Sequence, residues 1–235
     1  MFSRRMKTIG LIGGMSWESS QEYYRIINET VEETMGGLHS AKSLMYSFDF
    51  EEIEKLQHQG DWDKLTELMI EAAKDLEKGG ADFVIICTNT MHKMADEVQK
   101  NIQIPLLHIA DATAEKIKEK GINKIGLLGT KFTMEEDFYK GRLIDKYEIK
   151  VIIPNEEERQ IVHKVIYNEL CLGKINQSSK KKFKKIIQNL ISNGAEGIML
   201  GCTEIPLLIK QEDVEVPLFD TTTIHAKYAV ENALK

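Results

Sequence analysis

The segment GGADFVIICTNTMH, residues 79–92, joins a continuous apolar run to a cluster of small polar side chains. The apolar part, 82–87, is typical of a strand that is covered on both faces of its sheet. It follows an amphipathic helical pattern over 63–80 that ends in glycine. Ligands of parallel α/β sheets lie beyond the carboxyl ends of the strands, so the polar cluster predicts a binding site.

The same alternation of strand and helix extends back to the start of the chain. TIGLIGG at 8–14 predicts a strand, a helical pattern follows over 17–35, and SLMYSFDF at 43–50 predicts another strand. This order predicts an α/β fold with parallel sheets.

Three segments of the first half recur in the same order in the second half. The pairs are KTIGLIGGMS (7–16) with NKIGLLGTKFT (123–133), 79–92 with GAEGIMLGCTEIP (194–206), and IPLLHIADATA (104–114) with VPLFDTTTIHA (216–226). Gly13 lies 75 residues before Thr88, and Gly129 lies 73 before Cys202. Matched order and spacing predict a duplication that gives two lobes of similar topology.

The predicted domains are a first lobe at 6–108 plus 218–235 and a second lobe at 109–217. The last helical pattern returns to cover the first lobe. With two facing lobes, we expect the TNT and CTE strand ends to oppose each other across one cleft.

Composition excludes several partners. The formal net charge of −6 gives no reason to expect nucleic acid or an anionic membrane. The basic run KKKFKK at 180–185 carries an apolar stripe at helical spacing, which indicates a solvated helix face.

No apolar run approaches the roughly 18 residues that span a bilayer. The first residues lack the apolar region of a signal peptide, and residues 1–5 are predicted to be an extension outside the fold. Three cysteines without dense spacing predict a reducing, cytoplasmic setting and no disulfide framework. The sequence has neither a CxxC nor an HExxH motif, so no metal site is predicted.

Cys202 lies between a predicted strand and a helix-like turn. Main-chain N–H groups there favour a thiolate, so we expect a lowered pKa and a role as base, against the alternative of a small buried residue. In GGMSWE (13–18), Ser16 is the predicted N-cap, and the spacing does not fit a dinucleotide fingerprint. In TKFTMEE (130–136), Thr133 is the predicted N-cap, and Glu136 three residues later completes a predicted capping box. Thr130 and Thr133 either serve only as caps or line the cleft from the second lobe.

Other polar side chains have structural interpretations. Cys171 lies on a helical pattern and is predicted to pack. His92 either orients a site group or is a satisfied helical histidine, and the same alternatives hold for His225. Asp49 is a predicted strand-end cap, and spacing alone places Gln57 in a surface loop.

Six segments together resemble the cofactor-independent aspartate/glutamate racemase family, from about Lys7 to the C-terminus. They are IGLIGGMSWESS, CTNTMH, LHIADAT, LGTKFTMEEDFY, LCLG and GCTEI. The resemblance is greatest to the L-aspartate/glutamate-specific branch, also described as broad-specificity amino-acid racemases. It implies two lobes related by a pseudo-twofold axis, each a mainly parallel sheet flanked by helices, with the active site in the cleft. It also implies an amino-acid substrate, no PLP or metal, and a homodimer.

The family places a catalytic thiol immediately before Asn-Thr in the first lobe, whereas here Thr88 precedes Asn89-Thr90. Adjacent side chains of a strand point in opposite directions, so Cys87 should face away and pack. Spacing alone aligns either Cys87 or Thr88 with Cys202; the family motif favours Thr88. The resemblance then implies that Cys202 takes the proton from the L-amino acid and Thr88 donates one on the opposite face.

The residues at the strand ends, together with Met15 and Gln57 that the resemblance adds, form the predicted set of substrate-binding residues. They are Met15, Ser16, Gln57, Asn89, Thr90, Thr130, Thr203 and Glu204. Amides and hydroxyls around Asn89, Thr90, Thr203 and Glu204 are expected to hold the α-carboxylate. Arg25 and Arg142 are candidates for the side-chain carboxylate by charge alone, and a surface or structural role is the stronger interpretation of each.

Two other functions stay open at this point. Another enzyme of the superfamily, such as a hydantoin racemase or a malonate decarboxylase, would share the lobes and change the pocket. An amino-acid-binding clamshell protein would keep the cleft and lack turnover, and Thr88 in place of a thiol gives that alternative some weight.

Overall fold

The computed structural model describes residues 5–235, so the predicted extension at 1–5 lies outside the described residues except for Arg5. The chain forms two compact units. The first continues to Ile109 and resumes at His225–Lys235, and the second is Ala110–Ile224. Both passages between the units fall in the first turn of a helix, Ile109–Glu119 and Thr221–Leu234.

The first unit is a parallel sheet flanked by helices. Its strands are β1 Ile9–Gly13, β2 Ser43–Ser47, β3 Phe83–Ile86 and β4 Leu106–Leu107, in the order β2-β1-β3-β4. Its helices are α1 Trp17–Met35, α2 Phe50–Gln59, α3 Trp62–Lys78 and α4 Ala95–Lys100, and α5 Ile109–Glu119 begins at its edge.

The second unit repeats this arrangement. Its strands are β5 Lys124–Gly129, β6 Lys150–Ile152, β7 Gly197–Gly201 and β8 Leu218–Asp220, in the order β6-β5-β7-β8. Its helices are α6 Lys131–Glu135, α7 Asp137–Tyr147, α8 Glu156–Asn168, α9 Gln177–Ser192 and α10 Ile205–Leu208, and α11 Thr221–Leu234 follows. The predicted pair of parallel sheets flanked by helices is confirmed.

The second passage between the units lies later than the sequence predicted. The predicted second lobe ends at 217, but Leu218–Asp220 pairs with β7 as an edge strand of the second sheet. The hydrogen bonds of β8 therefore keep residues 218–224 with the second unit, and the first unit resumes only at His225.

Strand register fixes which residues of the two sheets correspond. Ile9 pairs with Phe83 and Ile12 with Ile86 in the first sheet, whereas in the second the pairing runs from Ile125–Gly197 to Gly129–Gly201. Matching Ile9–Gly13 to the similar run Ile125–Gly129 places Cys87 at the position of Gly201. Thr88 then corresponds to Cys202, which spacing could not decide.

The core of the first unit explains the direction of Cys87. Ile85 and Cys87 belong to a buried cluster that includes residues of α1 and α11, such as Tyr23 and Val230. Val84 and Ile86 belong to a second cluster on the other face of the sheet, with residues of α3 and α4. The alternation of β3 thus continues through Cys87.

The predicted basic face lies on α9, whose buried residues include Phe183, Ile186, Ile187 and Leu190. Across the helices of residues 5–235, none combines the length and hydrophobicity that crossing a bilayer requires.

Candidate functional site

The loop after β1 approaches the end of β2 closely. Gly14 has a φ of 84°, and a Cβ there would collide with the backbone of Phe48. The Phe48 amide donates to Gly13 O at 3.1 Å, and the Gly14 amide donates to Ser20 Oγ at 2.8 Å. Ser16 is the N-cap of α1 as predicted, and its side chain accepts from the Ser19 amide. These contacts place Met15 and Ser16 at the carboxyl edge of the first sheet.

Thr88 is half-buried between two buried neighbours, Cys87 and Asn89. The two backbone carbonyls that flank the Thr88 Cα, those of Cys87 and Thr88, each lie within hydrogen-bonding distance of a side chain. Ser19 Oγ donates to Cys87 O at 2.5 Å, and His92 Nδ1 lies 2.7 Å from Thr88 O. Ser19 was not predicted from the sequence as a site residue, although it lies one helical turn after Ser16, the predicted N-cap. The contact satisfies a ring nitrogen of His92 and also holds the backbone of Thr88, so it fits both predicted alternatives for this histidine.

Cys87 is a packed thiol. Its exposed fraction is 1 %, and burial raises the pKa of the thiol far above its usual value. A buried, neutral thiol on the far side of the strand from Thr88 is poorly placed for acid/base chemistry.

Gln57 was wrongly placed in a surface loop by spacing alone. It lies on α2 with only 5 % of its surface exposed, and its Nε2 donates to Met91 Sδ at 3.1 Å. Met15 is 4 % exposed and belongs to the same buried cluster as Met91. The structure therefore brings Met15 and Gln57 to one side of the first sheet, with Asn89 and Thr90 also buried at its edge.

The second unit presents a different group at the corresponding strand end. Cys202 is 9 % exposed, and its Sγ donates to Glu204 Oε2 at 2.9 Å. The Thr203 hydroxyl donates to the same oxygen at 2.8 Å. Glu204 is itself buried, so the carboxylate is held beside the thiol rather than in bulk solvent.

The expectation of a lowered pKa for Cys202 is wrong. Burial, and then the neighbouring Glu204 carboxylate, raise the pKa of the thiol well above its usual value. The following helix α10 has only four residues, so it offers little dipole to oppose these effects. Ionisation of Cys202 in this setting requires a nearby group that accepts its proton.

The second unit also corrects a predicted cap. Thr130, not Thr133, is the N-cap of α6, and its side chain accepts from the Thr133 amide. The hydroxyls of Thr130 and Thr133 lie 3.2 Å apart. Glu136 is the N-cap position of α7, and it does not complete the predicted capping box at Thr133. Thr130 thus lies where β5 ends, at the carboxyl edge of the second sheet.

Both arginine candidates are engaged in ion pairs. Arg25 pairs with Glu22 and Glu29 on the exposed face of α1. Arg142 binds both oxygens of Asp111, at 2.7 and 2.8 Å, in a partly buried pair. The structural interpretation of both residues is therefore supported.

Other predictions can be located as well. Asp49, predicted as a strand-end cap, is the N-cap of α2, and Cys171 lies partly buried in the short 3-10 helix Leu170–Leu172. Within residues 5–235, His, Cys, Asp and Glu side chains form no cluster of three that could hold a metal ion.

Comparison with known proteins gives a consistent result. The sequence profile of the Asp/Glu/hydantoin racemase family matches residues 12–229. A broad-specificity amino-acid racemase of Bacillus subtilis is 28 % identical over 181 residues, which cover 74 % of each chain.

Two solved structures are similar over nearly the whole chain. A Yersinia pestis protein described as a candidate Asp/Glu racemase is 53 % identical with a TM-score of 0.93, over 98 % of this chain and 100 % of that one. An aspartate racemase homologue from Pyrococcus horikoshii is 38 % identical with a TM-score of 0.86, over the same shares.

Proposed function

The chain belongs to the Asp/Glu/hydantoin racemase family, and we propose that it racemises acidic amino acids without PLP or metal, converting L-aspartate or L-glutamate to the D-form. The observation that carries this proposal is the register of the two sheets, which makes Thr88 and Cys202 corresponding residues at corresponding strand ends. Two equivalent positions that carry proton-transfer groups suit a two-base reaction, in which one group serves each face of the α-carbon.

Cys202 is the base for the L-enantiomer in this mechanism. Its thiol proton passes to Glu204 Oε2, 2.9 Å away, and leaves a thiolate beside a neutral carboxylic acid. The thiolate then removes the α-proton, which restores the thiol and leaves a carbanion on the substrate. Glu204 releases its proton to solvent and returns to the carboxylate, so the enzyme is regenerated. This mechanism gives Glu204 the role of proton acceptor in place of the substrate-binding role that the sequence predicted.

Thr88 donates the proton to the opposite face. Its hydroxyl protonates the carbanion and completes the inversion, and its alkoxide takes a proton back from solvent. The partial exposure of Thr88 supports this return, because water can reach the side chain. A hydroxyl is a much weaker base than a thiolate, so the two ends play unequal roles.

Fixed donors lower the cost of the carbanion. We assign the α-carboxylate to the amides and hydroxyls around Asn89, Thr90 and Thr203, which can hold its growing charge without rearrangement. We assign further substrate contacts to Met15, Ser16 and Gln57 of the first unit and to Thr130 at the end of β5 in the second. Glu204 does not join this group, because two carboxylates would repel each other.

A second candidate is racemisation of amino acids with uncharged side chains. It is favoured by the ion pairs of Arg25 and Arg142, which leave neither arginine as an evident partner for a side-chain carboxylate. The similarity to the broad-specificity racemase of Bacillus subtilis is in accord with it.

The test is incubation of the purified protein in D2O, without PLP and with EDTA, with each enantiomer of aspartate and glutamate and a panel of other amino acids. We expect α-deuteration and conversion of L-aspartate or L-glutamate to the D-form. Turnover only of uncharged amino acids would select the second candidate. Binding without exchange of any α-proton would contradict a racemase and favour a binding protein.

We also propose a homodimer. Trp17 and Tyr24 lie two turns apart on α1 with 62 % and 52 % of their surfaces exposed, and apolar exposure of this kind favours association. Light scattering should give twice the mass of the chain, and Tyr24→Glu should halve it. A monomer at micromolar concentration would contradict this proposal.

A further inference from the structure

Three histidines of the first unit lie together in its interior. His92, His108 and His225 have exposed fractions of 2 %, 5 % and 0 %. The ring centroids of His92 and His108 are 4.6 Å apart, and those of His92 and His225 are 5.6 Å apart. We refer to these three residues as the histidine cluster, which the proposed chemistry does not use.

His92 joins two backbone groups that are far apart in sequence. The Ile109 amide donates to Nε2 at 3.2 Å, and Nδ1 lies 2.7 Å from Thr88 O. An amide can only donate and a carbonyl can only accept, so the ring must carry its proton on Nδ1. His92 is therefore a neutral imidazole that ties Thr88 to the residue at which the chain leaves the first unit.

His225 secures the other side of the same segment. Its Nε2 lies 2.8 Å from Leu107 O, so this nitrogen donates, and Nδ1 accepts from the Tyr23 hydroxyl at 2.9 Å. The backbone on both sides of His108 is thus held by histidine side chains, but the contacts of His225 are to Leu107 and Tyr23 and not to Thr88.

We propose that His92 is a positioning residue for Thr88, an inference that rests on the proposed function. The direction of the Thr88 side chain follows from the two peptide planes that flank its Cα. Ser19 fixes the first plane through Cys87 O, and His92 fixes the second through Thr88 O. Displacement of a reacting group by 1 Å can cost about 100-fold in rate, so loss of this tether should impair Thr88 specifically.

The second unit has a different arrangement, which makes the inference testable. The carbonyl of Cys202 accepts from the Ile205 amide at 3.3 Å, a contact between backbone groups that requires no histidine. Substitution of His92 should therefore affect protonation by Thr88 and leave proton removal by Cys202 largely intact.

The experiment measures how the carbanion partitions. Wild-type protein and variants react with the L-amino acid in D2O, and α-deuterated L and D products are quantified by chiral chromatography with mass detection. We expect His92→Phe to lower the ratio of D to deuterated L product by about 10- to 100-fold. His92→Asn should lower it less, because its amide N–H can still donate to Thr88 O.

His225→Phe is the matched control, because it removes two hydrogen bonds from the same cluster without touching Thr88. It should lower the melting temperature and leave the product ratio unchanged. A fall of both products in equal proportion in His92→Phe, or an equal shift of the ratio in His225→Phe, would show a merely structural role and overturn the inference.

NMR supplies a readout that does not depend on activity. Side-chain 15N shifts should show the Nδ1-protonated form of His92, and hydrogen exchange should show a protected Ile109 amide that His92→Phe exposes. If the wild-type protein exchanges no α-proton, the proposed function is contradicted. The tautomer of His92 and the protection of the Ile109 amide then still test whether His92 holds the backbone of Thr88. A proton on Nε2 of His92, or an unprotected Ile109 amide, would overturn it.

Discussion

The two units share the interior of their sheets and differ at the strand ends. In both, a glutamine holds the edge strand in the same way. Gln99 binds the Leu106 amide at 2.7 Å and Ile104 O at 3.2 Å, and Gln211 binds the Leu218 amide at 2.9 Å and Val216 O at 3.0 Å. Such contacts satisfy backbone groups that any copy of the fold must satisfy.

The ends of the central strands β3 and β7 are stabilised by different contacts in the two units. Thr88 is held through its backbone by Ser19 and His92, whereas the Cys202 side chain contacts a buried carboxylate. The helices that follow the edge strands, α5 and α11, also begin differently. The Ile109 amide of α5 donates to His92 Nε2, whereas the Thr222 and Thr223 amides of α11 donate to Asp220. Scaffold contacts are constrained by the sheet in each unit, whereas the strand ends are free to take separate chemical roles.

The largest test of this comparison removes the two acid/base groups. Cys202→Ala and Thr88→Ala should each lower racemisation by about 10³- to 10⁴-fold. Deuterium exchange into the L-amino acid should be lost in Cys202→Ala and persist in Thr88→Ala, because proton removal needs only the thiolate.

Cys87→Ala is the control for these two variants. It should retain racemisation, since that thiol is packed on the other side of the strand. An inactive Cys87→Ala together with an active Thr88→Ala would contradict the correspondence of Thr88 with Cys202.

The next test concerns the carboxylate that only the second unit has. Glu204→Gln should lower turnover by about 100-fold, because the thiol loses its proton acceptor. The carboxylate also raises the pKa of Cys202, so its removal should lower that pKa and shift alkylation by iodoacetamide to lower pH. Mass spectrometry of modified Cys202 against pH gives the second result. Unchanged turnover would contradict the role of Glu204.

A further test makes the two ends alike. Thr88→Cys introduces a stronger base and should raise kcat/KM by about tenfold for both enantiomers. The increase must be equal, because the equilibrium constant between enantiomers is fixed near one. Thr88→Ser, which keeps the hydroxyl, should change little. Reduced turnover in Thr88→Cys would indicate that this side chain does not face the α-carbon.

The smallest expected effect tests the shared scaffold. Gln99→Ala and Gln211→Ala should each lower the free energy of unfolding by about 1 kcal/mol, through loss of equivalent backbone contacts. Urea unfolding followed by circular dichroism measures both, with Lys100→Ala as a control whose exposed ion pair should contribute little. A large change in one glutamine variant and none in the other would contradict their equivalence.

Much of the fold could be read from the sequence because it depends on periodicity and repetition. The apolar runs at 82–87 and 8–14 identified β3 and β1, and the helical pattern at 63–80 matched α3. The position of β8 was missed, because a three-residue edge strand carries too little pattern to show which sheet completes its hydrogen bonds.

The candidate site shows the same distinction between features that local sequence predicts and features that need tertiary contacts. Local spacing was sufficient for Ser16 as a cap, but it misplaced Gln57, which α2 carries against Met91 in the interior. Neither the tether from His92 to Ile109 nor the raised pKa of Cys202 has a local signature. Both depend on groups that only tertiary packing brings together.

The sequence by itself determined that this chain forms two similar α/β units with polar groups at matching strand ends. Periodicity, glycine placement and repetition are local properties of the chain, so they can be read without coordinates. Tertiary structure decided the register that makes Thr88 correspond to Cys202, and it decided that Glu204 faces the Cys202 thiol. The packing of Cys87 in the buried cluster agrees with what strand alternation had predicted. Register, burial and the pKa of a thiol arise from hydrogen bonds and desolvation by distant residues, which no local pattern encodes.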